Sequence, residues 1–130
     1  MNDLVEIQTE KAMKYLCLVY YQESEIGTMS KSEWKSLVGE CLACGEGLRS
    51  SGHMLGGEAL EPVNTATTVR VRNGRISITD GPFAETKEQL AGFYLIEASD
   101  LNDAVQAAAK IPPARLGSIE IRPIRDLLAQ

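Results

Sequence analysis

Asp80-Gly81-Pro82-Phe83, followed by Glu85 and Lys87, is the stretch of this chain whose residue types could do chemistry. Gly81 can adopt φ > 0, and Pro82 fixes its own φ while steering Gly81 away from the α region, so a rigid corner is expected. A carboxylate held at such a corner has two readings. Beside an apolar cleft, Asp80 can have a raised pKa and move protons, or can anchor a cationic or hydroxyl-bearing ligand. It can equally serve an Asx-type bond to backbone N–H groups two residues on. Glu58, Glu85 and Lys87 are able to complete a polar site around Asp80, with Phe83 and Tyr94 as aromatic lining. Thr86 with Gln89 fits a capping box, which predicts a short helical turn that Gly92 stops. Backbone N–H groups at that helix start would favour an anion near Glu85 to Lys87, unless the segment is only a structural turn.

His53 is the only histidine. Its type suits a general base whose tautomer a carboxylate such as Asp80 or Glu58 could hold; a surface or capping role is the competing reading. Cys41-Leu42-Ala43-Cys44 has the CxxC spacing. A redox pair needs a helix N-terminus to lower the thiol pKa, and zinc needs about four convergent ligands. Both cysteines fall instead on a mid-helical apolar stripe, so core packing is expected, and no metal or cofactor is implied.

The elements that must position these groups follow from periodicity. Lys14 to Tyr21 and Gly92 to Ala98 are apolar on both faces, which predicts two central, neighbouring strands. Ser30 with Glu33 makes a capping box before a helix whose buried stripe is Trp34, Leu37, Val38, Cys41, Cys44 and Leu48. His53 to Leu60 is a second strand, expected to be bulged at Gly56-Gly57. Thr65 to Arg72 and Arg75 to Thr79 alternate around Asn73-Gly74, a strong hairpin signal, and one wet face is expected. Ser99 or Asp100 caps a second helix with Leu101, Ala104, Val105 and Ala108 inward, and Ser118 to Pro123 is an edge strand. The order predicts an α+β fold, a ferredoxin-like βαββαβ domain with an inserted β-hairpin. Its two helices cover one sheet face only. The other face of the central strands is too apolar to stay in water, which predicts a homodimer with two sheets packed face to face.

A length of 130 residues suits one domain, and 44% apolar with 24% charged residues is ordinary for a globular protein. The net charge of −5 argues against a direct nucleic-acid partner. No apolar run is long enough for a membrane span and no leader is apparent, so a cytoplasmic location is expected. Three cysteines do not make a disulfide framework. Residues 1–12 read as a mobile N-terminal extension, with the domain at 13–127.

Asp80-Gly81-Pro82-Phe83-Ala84-Glu85-Thr86-Lys87-Glu88 resembles the signature of the DGPF group within the YCII-related domain family. The likeness runs from Met13 to Leu127, through Met13-Lys14-Tyr15, Gly56-Gly57-Glu58-Ala59-Leu60, Thr67-Thr68-Val69-Arg70-Val71-Arg72 and Ile121-Arg122-Pro123. What the resemblance implies is a dimeric α+β barrel with clefts associated with the subunit assembly. Members outside the DGPF group resemble enzymes that use a histidine on the first helix with an acidic partner. Positions Ser30 to Ser50 hold no histidine, so that pair cannot be carried over whole. The leading expectation is a homodimer that binds a small organic molecule in a cleft near Asp80, with isomerase- or lyase-like proton transfer as the chemistry it could support. DGPF-group domains also resemble segments fused to, or neighbouring, sigma factors. The alternative implied is a non-catalytic interaction or ligand-sensing module associated with sigma-factor-dependent transcription.

Overall fold

A computed structural model describes residues 12–129; most of the expected N-terminal extension therefore lies outside the described residues. The elements run β1 (Met13–Tyr21), α1 (Glu23–Ile26), α2 (Lys31–Ser50), β2 (Met54–Ala59), β3 (Thr67–Arg72), β4 (Arg75–Asp80), β5 (Gln89–Ala98), α3 (Leu101–Ala108) and β6 (Ser118–Pro123). Single 3-10 turns sit at Val63–Thr65 and Pro112–Arg115. The result is a mixed α+β chain with a four-stranded antiparallel sheet in the order β2-β5-β1-β6, and a separate two-stranded sheet β3-β4.

The doubly apolar strands β1 and β5 are neighbours at the centre, as their composition required. Pleating sends Tyr15, Cys17 and Val19 of β1, with Ile96 and Ala98 of β5, to the face where Leu48, Ala104, Ala107, Ala108 and Ile111 complete the core. Burying Leu48, Ile96 and Ile111, each almost wholly enclosed, contributes roughly 1.5–3 kcal/mol apiece. The alternate side chains, Leu16, Leu18, Tyr20, Phe93 and Leu95, lie on the outer face and stay half-exposed.

Helix α2 starts as its capping box requires: the Ser30 hydroxyl accepts from the Glu33 amide at 3.1 Å, and Glu33 Oε1 accepts from the Ser30 amide at 2.8 Å. Of its predicted stripe, Leu37 and Leu48 are buried, while Trp34 is exposed. Helix α3 is capped by Asp100, which accepts from the Asp103 amide at 2.8 Å. Its inner face differs from the expected one. Ala104, Ala107 and Ala108 are buried, whereas Leu101 and Val105 are exposed, because a helix seated through alanines can lie close to the sheet and leaves larger side chains on its flank.

The bulge expected in β2 is present, as a register shift between Met54 and Gly56. Asn73 and Gly74 take φ of 51° and 75°, the mirror-image turn that matches strand twist. Two other expectations are corrected. No helix follows the Asp80 corner: Thr86 Oγ donates to the Glu88 carbonyl, Gln89 Nε2 donates to the Thr86 carbonyl at 2.8 Å, and Gln89 already begins β5. The side chain expected to cap a helix is used to hold a loop, which removes the helix start expected to favour an anion near Glu85 to Lys87. The hairpin, expected to have one wet face, has two. Val69, Val71, Ile76 and Ile78 are 60%, 57%, 71% and 67% exposed, since the hairpin stands apart from the main sheet.

Candidate functional site

Helix α2 does not close down fully on the β2 side of the sheet. Between them lies a groove of about 540 Å³, walled by Leu37, Val38 and Cys41 from the helix and by Met54 and Tyr94 from the strands. Its existence has a local cause. Gly45 lines the groove from α2 without a side chain, and a Cβ placed there meets nothing within 4 Å. Trp34, Tyr21, Ala59 and Ala91 are shared with a second hollow of about 640 Å³ that runs under α1, so the two adjoin. At the first groove's margin, Glu58 and the Arg49–Glu46 pair, 2.8 Å apart, supply charge.

Burial keeps the interior neutral. Desolvation pushes the Tyr94 phenol up to about 12, with the nearby Cys41 and Cys44 thiols adding to the effect. Tyr21 is raised by burial first and then by Glu23 and Cys41. Cys41 is raised by burial, with Cys44 and Glu40 adding and Arg115 opposing; Cys44 is raised by burial against Lys110. At neutral pH these groups are hydroxyl and thiol donors rather than anions. Their thiols are correspondingly poor nucleophiles. Neither the Tyr94 nor the Tyr21 hydroxyl makes a hydrogen bond among the described residues, so both remain available. A groove of this kind can enclose an apolar body and donate hydrogen bonds to an acceptor on it.

The expected site residues are divided by the structure. Glu58 and Tyr94 line the groove. Asp80 ends β4 opposite Thr67 on the detached hairpin, exposed, with no side-chain hydrogen bond among the described residues. Gly81 takes φ of 97°, as its corner required, and its amide donates to the Ala66 carbonyl at 2.6 Å. Thr68 Oγ donates to the Gly81 carbonyl at 2.8 Å. Backbone groups and Thr68 thus hold the turn, not the Asp80 carboxylate. Pro82 is half-buried, while Phe83, Glu85 and Lys87 are exposed. None of residues 80–87 lines either hollow.

His53 has a different partner from the Asp80 or Glu58 expected of it. Its Nε2 lies 3.0 Å from Asp103 Oδ1 and its Nδ1 2.7 Å from Ser51 Oγ. Ser51 Oγ also lies 3.0 Å from the Leu48 carbonyl at the end of α2. A hydroxyl has one proton to give, so with a single ring proton it must choose between these two acceptors; with both ring nitrogens protonated every contact has a donor. Asp103 is held below the usual carboxylate range, first by the Ser99 amide and then by His53. The trio lines neither hollow, and its geometry ties α2 to α3. Sequence reasoning missed Ser51 and Asp103. Ser51 is two residues from His53, but the fifty-residue separation of Asp103 carries no periodic signal.

Among the described residues no group of three or more His, Cys, Asp or Glu side chains gathers to hold a metal ion. No described helix is long and apolar enough to cross a membrane.

Comparison with known proteins agrees with the likeness carried by the motifs. An uncharacterised protein of Rhizobium meliloti (strain 1021) is 37% identical over 114 residues, which cover 86% of this chain and 92% of that protein. The family model for the YCII-related domain matches residues 13–128, that is, all six strands and all three helices. This chain belongs to the YCII-related domain family.

Proposed function

We propose that the protein is a homodimer that binds a small organic molecule, mostly apolar and bearing a hydrogen-bond acceptor such as a carbonyl, in the groove between α2 and strands β2 and β5. The observation that carries this reading is the groove itself. It has the volume of an organic ligand, an apolar wall and neutral phenol donors at Tyr94 and Tyr21. The site is moved from the Asp80 corner because Asp80 does not line the groove. Binding, rather than proton transfer, is the reading proposed, since burial keeps the Tyr94 phenol and the Cys41 thiol of the groove in their neutral, protonated forms.

The dimer is supported by the half-exposed outer face of Leu16, Leu18, Tyr20, Phe93 and Leu95. With the hairpin set aside, the order β6-β1-β5-β2 supports reading the domain as two interleaved βαβ halves, the ferredoxin-like arrangement whose dimers form α+β barrels. The DGPF likeness of residues 80–88 points the same way.

A metabolite library screened by thermal shift tests the reading. Compounds that raise the melting temperature of the wild type should lose their effect on Gly45→Leu, which fills the groove while favouring the helix, and should weaken on Tyr94→Phe. Asp80→Asn should bind as the wild type does. Hits retained in full by Gly45→Leu would place the ligand elsewhere.

A further inference from the structure

We infer that the β3–β4 hairpin is an exchanged arm, whose apolar stripe seats on the outer sheet face of a second copy of this chain. The inference rests on the homodimer reading above and goes beyond it by assigning the contact. Residues 69, 71, 76 and 78 lie on one face of the hairpin through the pairs Val69↔Ile78 and Val71↔Ile76. All four are more than half exposed, and a two-stranded ribbon with an open apolar face is at best marginally stable in water. Its base is nevertheless firmly built. Glu23 Oε2 accepts from the Val63 amide at 3.0 Å, Gln89 Oε1 accepts from the Glu23 amide at 2.9 Å, and the Gly81–Ala66 and Thr68–Gly81 bonds close the neck. An arm held out rigidly with its apolar face bare has the form of one half of an interface.

The other half is on the same chain. The outer face of the main sheet offers the cross-strand pairs Leu16↔Leu95 and Leu18↔Phe93, open because both major helices cover the opposite face. Arg70, Arg72 and Arg75 fall on the opposite face of the hairpin, through the pairs Arg70↔Ser77 and Arg72↔Arg75, so the docking contact is apolar and the arginines stay in water. A two-fold axis uses each arm-to-sheet contact twice, which suits a self-complementary pair of surfaces. Asp80 shares the hairpin face of Ile76 and Ile78, so docking would carry its carboxylate to the partner rather than to its own groove.

The test uses the full chain and reads mass in solution by light scattering and sedimentation. Wild type should be a dimer, and the double variant Ile76→Asp, Ile78→Asp should dissociate on the order of 100-fold more readily or more. Its circular dichroism should be unchanged, because both positions lie outside the core. In a mixture of Ile78→Cys chains with Leu95→Cys chains, peptide mapping should find a disulfide between chains that joins the two substituted positions. A double variant that stays fully dimeric, with no such link in the cysteine mixture, overturns the arm and leaves the dimer standing. A monomeric wild type overturns both, and leaves the stripe to a foreign protein. Ligand binding by Gly45→Leu reports separately on the groove.

Discussion

His53 Nε2 lies 3.0 Å from Asp103 Oδ1, joining the loop after α2 to the first turn of α3. Two helices that share one sheet face are thereby fixed to each other at one end. The Ser51 hydroxyl extends the link to the last carbonyls of α2, where partial negative charge favours a ring N–H donor.

Asp103 gives this link a pH dependence whose sign follows from its depressed pKa. A carboxyl lowered by folding contributes stability that is present above its unfolded value and is lost as pH falls through the folded one. Asp103→Asn should cost about 1 kcal/mol at pH 7. Its gap from wild type should narrow as pH falls beneath the usual carboxylate range and through the folded-state value, where both side chains become neutral. Urea unfolding at a series of pH values measures this; a gap that stays constant into acid would show that the charge is not what stabilises.

Gly92 is set by close approach. A Cβ there would stand 2.7 Å from the Glu58 carbonyl oxygen and 3.2 Å from the Ala59 Cα, and backbone atoms of a paired strand cannot yield as a side-chain tip can. Gly92→Ala should cost roughly 3 kcal/mol through displacement of β2 from β5. Gly45→Ala, with open space around it, should instead stabilise by up to about 1 kcal/mol. Equal midpoints for the two variants in denaturant titrations would contradict this account.

The three cysteines should be unreactive for a common reason. Burial raises Cys17 to about 11 and also raises Cys41 and Cys44, so little thiolate exists at neutral pH. Alkylation near neutral pH should be slow at Cys41 and Cys44, and should reach Cys17 only on unfolding, as it has no exposed surface. Mass spectrometry of the timed reaction gives the order. Rapid modification of Cys41 in the native protein would reveal an activated thiol in the groove.

Local patterns made much of the scaffold legible. Two doubly apolar strands had to be central, Ser30 and Glu33 had to start a helix, and Asn73-Gly74 had to turn a hairpin, because each is settled by residues a few positions apart. The Gly81 corner was readable for the same reason. Thr86 and Gln89 misled because a side-chain-to-carbonyl bond within a loop uses the same residue types as a helix cap.

What the amino-acid order determined alone was therefore the six strands and the two longer helices, the two apolar sheet faces and the family motif, but not the short helix α1 at Glu23–Ile26, a stretch that reads as a polar loop. Only the tertiary structure decided which chemical groups meet. It gave His53 to Asp103, left Asp80 on a detached arm, and opened a groove at Gly45 beside Tyr94. Periodicity reports which way a side chain faces, whereas the partner it finds there is set by helix–sheet spacing and strand order across separations that no local repeat encodes.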